Sequence, residues 1–348
     1  MNDSLASSAC PARDFDVALL DLDGVVYIGQ HVVDHADTSI EQSRQLGMRM
    51  GFVTNNAART PIEVADHLVE LGIPASAADV VTSSQAAAHL LRERLSSGDP
   101  VLAVGGLGID RALEEFGLRP VRSLAEHPVA VMQGFGRDVT WRDLAEASLA
   151  VRDGAYWVAT NLDATFPIPG GRAPGNGMLV AAVAEASGRR PDAVAGKPHP
   201  PLMRESVDRL GAHRPLVVGD RLDTDIEGAN ALGIASLLVL TGVTDVSQLL
   251  NAAPEHRPSL ISRDLRGLLD EHPVVERVDE GLWRARQSQA VVRGDSITVT
   301  IGPGDHGWED ALRCSCAAAW SGLPVRTDDV VVALRASDRS MPQGQPPR

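Results

Sequence analysis

The chain is poor in aromatics, in cysteine and in positive charge. Phe, Trp and Tyr make up 3% of its 348 residues, so a core must be filled mainly by Ala, Val and Leu. The three cysteines, Cys10, Cys314 and Cys316, form an odd, sparse set that excludes a disulfide framework and suits a reducing cytoplasm. Cys314-Ser-Cys316 is not C-x-x-C and lacks a partner pair, so it gives little ground for a metal or redox site. Acidic residues outnumber basic ones 46 to 32, and the formal charge of −14 argues against a surface made for nucleic acid or an anionic membrane. No stretch reaches the roughly 18 apolar residues of a membrane-spanning helix. The opening "MNDSLASSACPARD" has neither the basic start nor the apolar centre of a secretory signal.

What is present is a soluble composition, 44% hydrophobic and 22% charged, on a chain long enough for two or three units. After a polar tail at 1–13, "FDVALL" at 15–20 reads as a strand buried on both faces. Further strand-like runs are expected at 48–54, 101–104, 129–132, 155–159, 215–218 and 235–240, with helical stretches between most of them. Thr60, Pro61 and Glu63 spell a helix start, namely an N-cap, a proline at the first turn and a capping-box glutamate. The alternation predicts an α/β fold with a parallel sheet. "FPIPGGRAPGNG" at 166–177 reads as a loop, and beyond about 271 the pattern turns to antiparallel strands, a helix "GWEDALRCSCAAAWSG" and a final strand "DVVVALR". The last residues, 336–348, read as a disordered tail.

Four segments carry chemistry. Asp21 and Asp23 end the first strand in "LLDLDGVVY", Thr54-Asn55-Asn56 end "GFVT", Lys197 lies in "AGKPHP", and "VVGDRLDTDI" places Asp220 at a strand tip with Asp225 five residues on. Parallel strands open their carboxyl ends on one crevice, where such folds bind ligands. Carboxylates crowded there need a cation, and hard oxygen donors suit Mg²⁺ shared with a phosphate. Thr54 and Lys197 would hold and neutralise phosphoryl oxygens, Asp21 could attack phosphorus, and Asp23 could serve as acid and base.

The order D-x-D, T, K, G-D-x-x-x-x-D resembles the haloacid dehalogenase (HAD) superfamily. "DLDGVVYIG", "TNN", "GKP" and "GDRLDTDI" are similar to its class IIA capped phosphatases, as are "ATNLDATFP" at 159–167 and "PGNG" at 174–177. The resemblance implies a Rossmann-like core at 14–83 and 192–271 with a parallel sheet, an inserted α/β cap at 84–191, and leaves a small α+β module at 272–335. It implies Mg²⁺-dependent hydrolysis of a small phosphomonoester through an aspartyl-phosphate on Asp21. Asp21, Asp220 and the Asp23 carbonyl would be the metal ligands, Asp225 a supporting carboxylate, and Thr54, Asn55 and Lys197 the phosphate holders. Asn56, Asp163, Arg137 and Arg172 are candidates for touching the leaving group, as is the cap residue Asp138. The ester leans to glycerol 3-phosphate, with phosphoglycolate, pyridoxal phosphate and nucleotides as alternatives, and a non-catalytic binding protein on the same scaffold as the different-class reading. Cap relatives usually carry G-x-D where this chain has "GFGRDVTW", with Gly136 in the aspartate's place. The C-terminal module is expected to pack on the core or to mediate self-association.

Overall fold

The computed structural model describes residues 5–168 and 170–337. They form two compact units: 5–49 with 214–337, and 50–168 with 170–213. Compactness thus groups the C-terminal module with the first and last core strands. It groups the expected cap with the strand Arg49–Thr54 and the helix Pro200–Leu210.

In the first unit four parallel strands lie in the order Leu260–Ser262, Ala235–Val239, Pro215–Gly219, Val17–Leu20. Every residue of Val17–Leu20 is buried, as a strand covered on both faces requires. Leu20 pairs with Val218, so the residues following both strands emerge at one edge. Four antiparallel strands follow, Glu276–Asp279, Leu282–Ala285, Ser288–Arg293 and Ser296–Thr300, with the helix Gly307–Ala319 packed on them.

Two expectations for this unit are corrected. "DVVVALR" is not a strand but the helix Asp328–Ser337. Val330, Val331 and Leu334 are spaced to bury one helical face, and Asp328 and Asp329 suit the positive end of the helix dipole, so packing overrides the β-branched run. Residues 336 and 337 belong to this helix, and 338–348 of the expected tail lie outside the described residues. Residues 5–13 of the polar tail are held in place: Ala6 donates to the Ser259 carbonyl at 2.9 Å, Ser8 and His272 exchange backbone bonds of 3.0 and 2.8 Å, and Leu5 packs on the core.

A buried polar network joins module and sheet. Arg313, 3% exposed, donates to Asp310 Oδ1 at 2.8 Å, the Ile261 carbonyl at 2.8 Å and His272 Nδ1 at 3.0 Å. His272 Nε2 lies 2.7 Å from the Gly267 carbonyl, so Nε2 carries the proton and the ring is neutral. Burial first, and then Arg313, lower its pKa to about 4. Below pH 6.5 the unfolded chain therefore binds a proton that the folded chain refuses, and stability falls as pH drops from 6.5 towards 4. The loss from this group is about 3 kcal/mol by linkage. Urea midpoints measured across that range should fall more steeply for the wild type than for His272→Gln, and parallel slopes would contradict it.

In the second unit Arg49–Thr54 pairs in parallel with Val80–Thr82. The Thr60 signature is realised: Glu63 N donates to Thr60 Oγ1 at 3.2 Å, Thr60 N to Glu63 Oε2 at 2.7 Å, and the helix Pro61–Glu70 follows. A separate five-stranded parallel sheet has the order Ala193–Val194, Tyr156–Ala159, Ala130–Gln133, Pro100–Val104, Arg119–Val121. The stretch expected as a loop is instead the hairpin Thr165–Ile168 with Gly171–Pro174, followed at once by the helix Asn176–Ser187. Pro167 and Pro174 fall on a short two-stranded ribbon, where a missing backbone donor costs little.

Candidate active site

The first unit gathers carboxylates. Asp21, Asp220 and Asp225 each offer an oxygen, all within 4.8 Å of one another, and both Asp220 and Asp225 are 1% exposed. Three like charges this close, two of them out of water, repel one another, and a cation among them would offset that repulsion. The donors are all hard oxygens, so the residues present fit Mg²⁺.

The backbone is shaped around Asp220. Its Oδ2 accepts from Val243 N at 2.6 Å, its carbonyl accepts from Thr244 N at 3.1 Å, and Thr241 Oγ1 donates to the Gly24 carbonyl at 2.5 Å. A Cβ on Gly242 would stand 1.9 Å from Asp220 Oδ2, and one on Gly24 2.8 Å from it, so only glycines let both segments close on this carboxylate. Gly24 also has φ +85°, which turns the chain sharply out of the strand. Asp225 sits in a π-helical turn, Leu222–Ile226, and its Oδ2 accepts from Arg221 N at 3.2 Å. Asp23 is exposed, two residues beyond Asp21, in a tight turn closed by Gly24 N donating to the Tyr27 carbonyl at 2.9 Å.

The second unit gathers the other predicted residues. Thr54 is buried at the strand end, and its hydroxyl accepts from Asn56 N at 3.0 Å. Lys197 is 4% exposed, with Nζ 3.5 Å from the Val53 carbonyl. The Asn55 side chain is a clasp: Oδ1 accepts from Lys197 N at 2.8 Å, while Nδ2 donates to the Lys197 carbonyl and to Asp163 Oδ2, both at 3.1 Å. Its amide is therefore committed to holding the Lys197 peptide. Any contact of Asn55 with an anion falls to its main chain.

Asn161 and Asn176 extend this clasp. Asn161 Nδ2 donates to the Asn55 carbonyl at 2.8 Å, as does Ser83 Oγ at 2.6 Å, and Asn176 Nδ2 donates to the Asn161 carbonyl at 2.8 Å. These structural amides lie inside "ATNLDATFP" and "PGNG", so the signal for them was the motif itself. Asp163 joins the cluster, whereas Asn56, Arg137, Asp138 and Arg172 are exposed. Among the described residues the side chains of Arg137, Asp138 and Arg172 make no hydrogen bond or ion pair. Gly136 has a steric cause: a Cβ there would lie 2.7 Å from the backbone of Gly105 and Gly106, so this loop arrangement has no room for aspartate. A depression of about 520 Å³ lined by Thr60, Leu107, Arg111, Glu115 and Arg209, among others, contains none of the predicted site residues.

Cys314 and Cys316 do not add a site. Both are buried, burial pushes the Cys314 thiol up to about 12 and the Cys316 thiol higher still, and Cys314 Sγ donates to the Ser288 carbonyl at 3.6 Å.

Residues 18–119 match the haloacid dehalogenase-like hydrolase family, and residues 194–268 a HAD-hydrolase-like family. The chain is 48% identical over 288 residues to a D-glycerol 3-phosphate phosphatase of Mycobacterium tuberculosis, covering 83% of this chain and 79% of that one. It is 36% identical over 241 residues to an acid sugar phosphatase of Staphylococcus aureus, covering 69% and 92%. The fold matches the crystal structure of a glycerol phosphate phosphatase from M. tuberculosis in complex with magnesium at a TM-score of 0.85 and 43% identity, over 94% of this chain and 98% of that one. It matches a single mutant of a thermostable protein termed NPPase, from Geobacillus stearothermophilus, at 0.66 and 35%, over 73% and 97%.

Proposed function

Given that the chain belongs to the haloacid dehalogenase-like hydrolases and is a phosphoric monoester hydrolase that works with Mg²⁺, we propose that its substrate is glycerol 3-phosphate and that Asp21 takes the phosphoryl group. The observation that carries the mechanism is the carboxylate cluster of Asp21, Asp220 and Asp225. The substrate rests on the name of the relative that is 48% identical.

An Asp21 carboxylate oxygen attacks phosphorus, the ester bond breaks, and the leaving alkoxide takes a proton from Asp23. Asp23 then accepts a proton from water, whose oxygen attacks the aspartyl-phosphate, so that inorganic phosphate leaves and Asp21 is restored. Asp21, Asp220 and the Asp23 carbonyl would hold Mg²⁺, with Asp225 beside them, and the ion would supply charge that offsets the carboxylates and the phosphoryl oxygens. Thr54 gives its hydroxyl proton and Asn55 its peptide N–H to phosphoryl oxygens, while Lys197 neutralises them. The bonds from Asn55 to both sides of the Lys197 peptide support a fixed ammonium.

Residues 84–191 act as the cap over a core of 14–83 and 192–271, and the leaving group is read by Asp163, with Asn56, Arg137 and Arg172 reaching it from exposed positions. A cytoplasmic setting goes with this reading, supported by three cysteines that form no disulfide; no helix among the described residues is long and apolar enough to cross a membrane. The test is phosphate release from a panel of esters with Mg²⁺ and with a chelator. Chelator-sensitive release, fastest on glycerol 3-phosphate, is the expected result. Faster release from phosphoglycolate, pyridoxal phosphate or a nucleotide would replace the substrate, and release from none would favour a binding protein.

A further inference from the structure

The residues after 271 have no part in the chemistry above, yet they share a core with the residues on either side of the loop that grips Asp220. That loop, 241–244, leads into the helix Val246–Leu250, which Asp245 caps by accepting from Gln248 N at 2.8 Å. The module holds the far side of this segment. Trp320 Nε1 donates to the Leu249 carbonyl at 3.2 Å, and Asn251 Nδ2 donates to Thr327 Oγ1 at 3.0 Å. It also holds the neighbouring strand end. Glu309 Oε1 accepts from Ser262 Oγ at 3.1 Å and Arg263 N at 3.0 Å, and the carbonyls of these two residues accept from Leu240 N at 3.2 and 3.1 Å. One apolar cluster contains Ile226, Leu238, Val246 and Leu249 together with Trp308, Leu312, Trp320 and Val331. Ile226 directly follows Asp225. The wall behind the carboxylates is therefore made partly of the module.

We propose that the C-terminal module is a positioning element of the carboxylate site: through Trp320 and Thr327 it fixes residues 240–251, and with them Asp220, and so sets the affinity for the divalent cation. The inference rests on the reading that Asp220 helps to hold Mg²⁺. Trp320 and Thr327 touch neither the cation nor the substrate, and they act only through residues 240–251.

The experiment is calorimetric titration of the full chain with Mg²⁺ in the absence of substrate. Groups that orient metal ligands usually change metal affinity by about 10- to 100-fold when removed, and these residues stand one step further out, so Trp320→Phe with Thr327→Val should raise the Mg²⁺ Kd about three- to tenfold. Trp320→Phe alone should move it in the same direction and serves if the double variant folds poorly. Ser288→Ala is the control. It removes a buried hydroxyl that bonds the Gly307 carbonyl at 2.8 Å and Gly302 N at 2.9 Å inside the module, away from 240–251. It should lower Tm but leave the Mg²⁺ Kd as in the wild type.

Equal Mg²⁺ affinity in all variants, or equal weakening in Ser288→Ala, would overturn the proposal and reduce the module to a stabiliser. A wild type that releases phosphate while its Mg²⁺ affinity ignores Trp320 and Thr327 sinks this inference alone. A wild type that binds Mg²⁺, with affinity following Trp320, but releases phosphate from no ester sinks the functional reading alone. A wild type that binds no Mg²⁺ overturns both.

Discussion

Asp21→Asn is expected to lower turnover by at least about 10⁴-fold, because removing a covalent nucleophile leaves only binding and the remaining electrostatics. The amide fills the same volume, but its oxygen and nitrogen are too weakly nucleophilic to attack phosphorus. The same substitution should not harm the fold. Asp21 stands within 4.8 Å of Asp220 and Asp225, so neutralising it relieves like-charge repulsion in the metal-free protein. Thermal unfolding in chelator should thus show a Tm for Asp21→Asn equal to or above the wild type. Steady-state phosphate release with Mg²⁺ gives the kinetic half of the test. Turnover within tenfold of wild type would remove the covalent mechanism, and a fall in Tm would show that like-charge repulsion is not the dominant force on this carboxylate.

Gly242→Ala is expected to do nearly as much damage from a residue with no chemistry of its own. The added Cβ would sit 1.9 Å from Asp220 Oδ2 and 2.5 Å from its Cγ, closer than any real contact. Either the 241–244 segment withdraws, taking the Val243 N–H from Asp220, or the carboxylate turns away from Asp21 and Asp225. Both outcomes spoil the donor set. Activity at limiting Mg²⁺ and Mg²⁺ affinity should each fall about 100-fold, the upper range for changes beside a metal ligand. Raising Mg²⁺ should recover part of the rate, as a positioning defect allows. Unchanged Mg²⁺ affinity would mean that Asp220 does not hold the cation.

Much of this site was legible in the sequence because strand tips in a parallel sheet leave a residue-level trace. A buried run such as "VALL" must stop where the chain becomes polar, and the polar residues Asp21 and Asp220 stand where the register Leu20–Val218 brings the two tips together. The Thr60 capping box was equally plain, since N-cap, proline and glutamate act over four residues of local chain. What local pattern could not show was set by distant packing. "DVVVALR" has a strand's composition and becomes a helix because Val330, Val331 and Leu334 are buried in a core that the local sequence does not reveal. Asn55 looks like a ligand for phosphate, yet its side chain is claimed by a peptide 142 residues away. Gly242 gave no signal at all, for its importance lies in the closeness of Asp220.

The most direct test of the phosphatase mechanism is to catch the phosphoryl group on Asp21. Asp23→Asn should still accept phosphate from p-nitrophenyl phosphate, whose leaving group needs no proton, but should lack the base that activates water. Mixed with this ester and Mg²⁺, quenched in acid and cut into peptides, the variant should show the peptide carrying Asp21 heavier by the mass of one phosphoryl group, and the chelated sample should not. Nitrophenol release without any such peptide, or the added mass on a different residue, would contradict the assignment of Asp21 as the nucleophile.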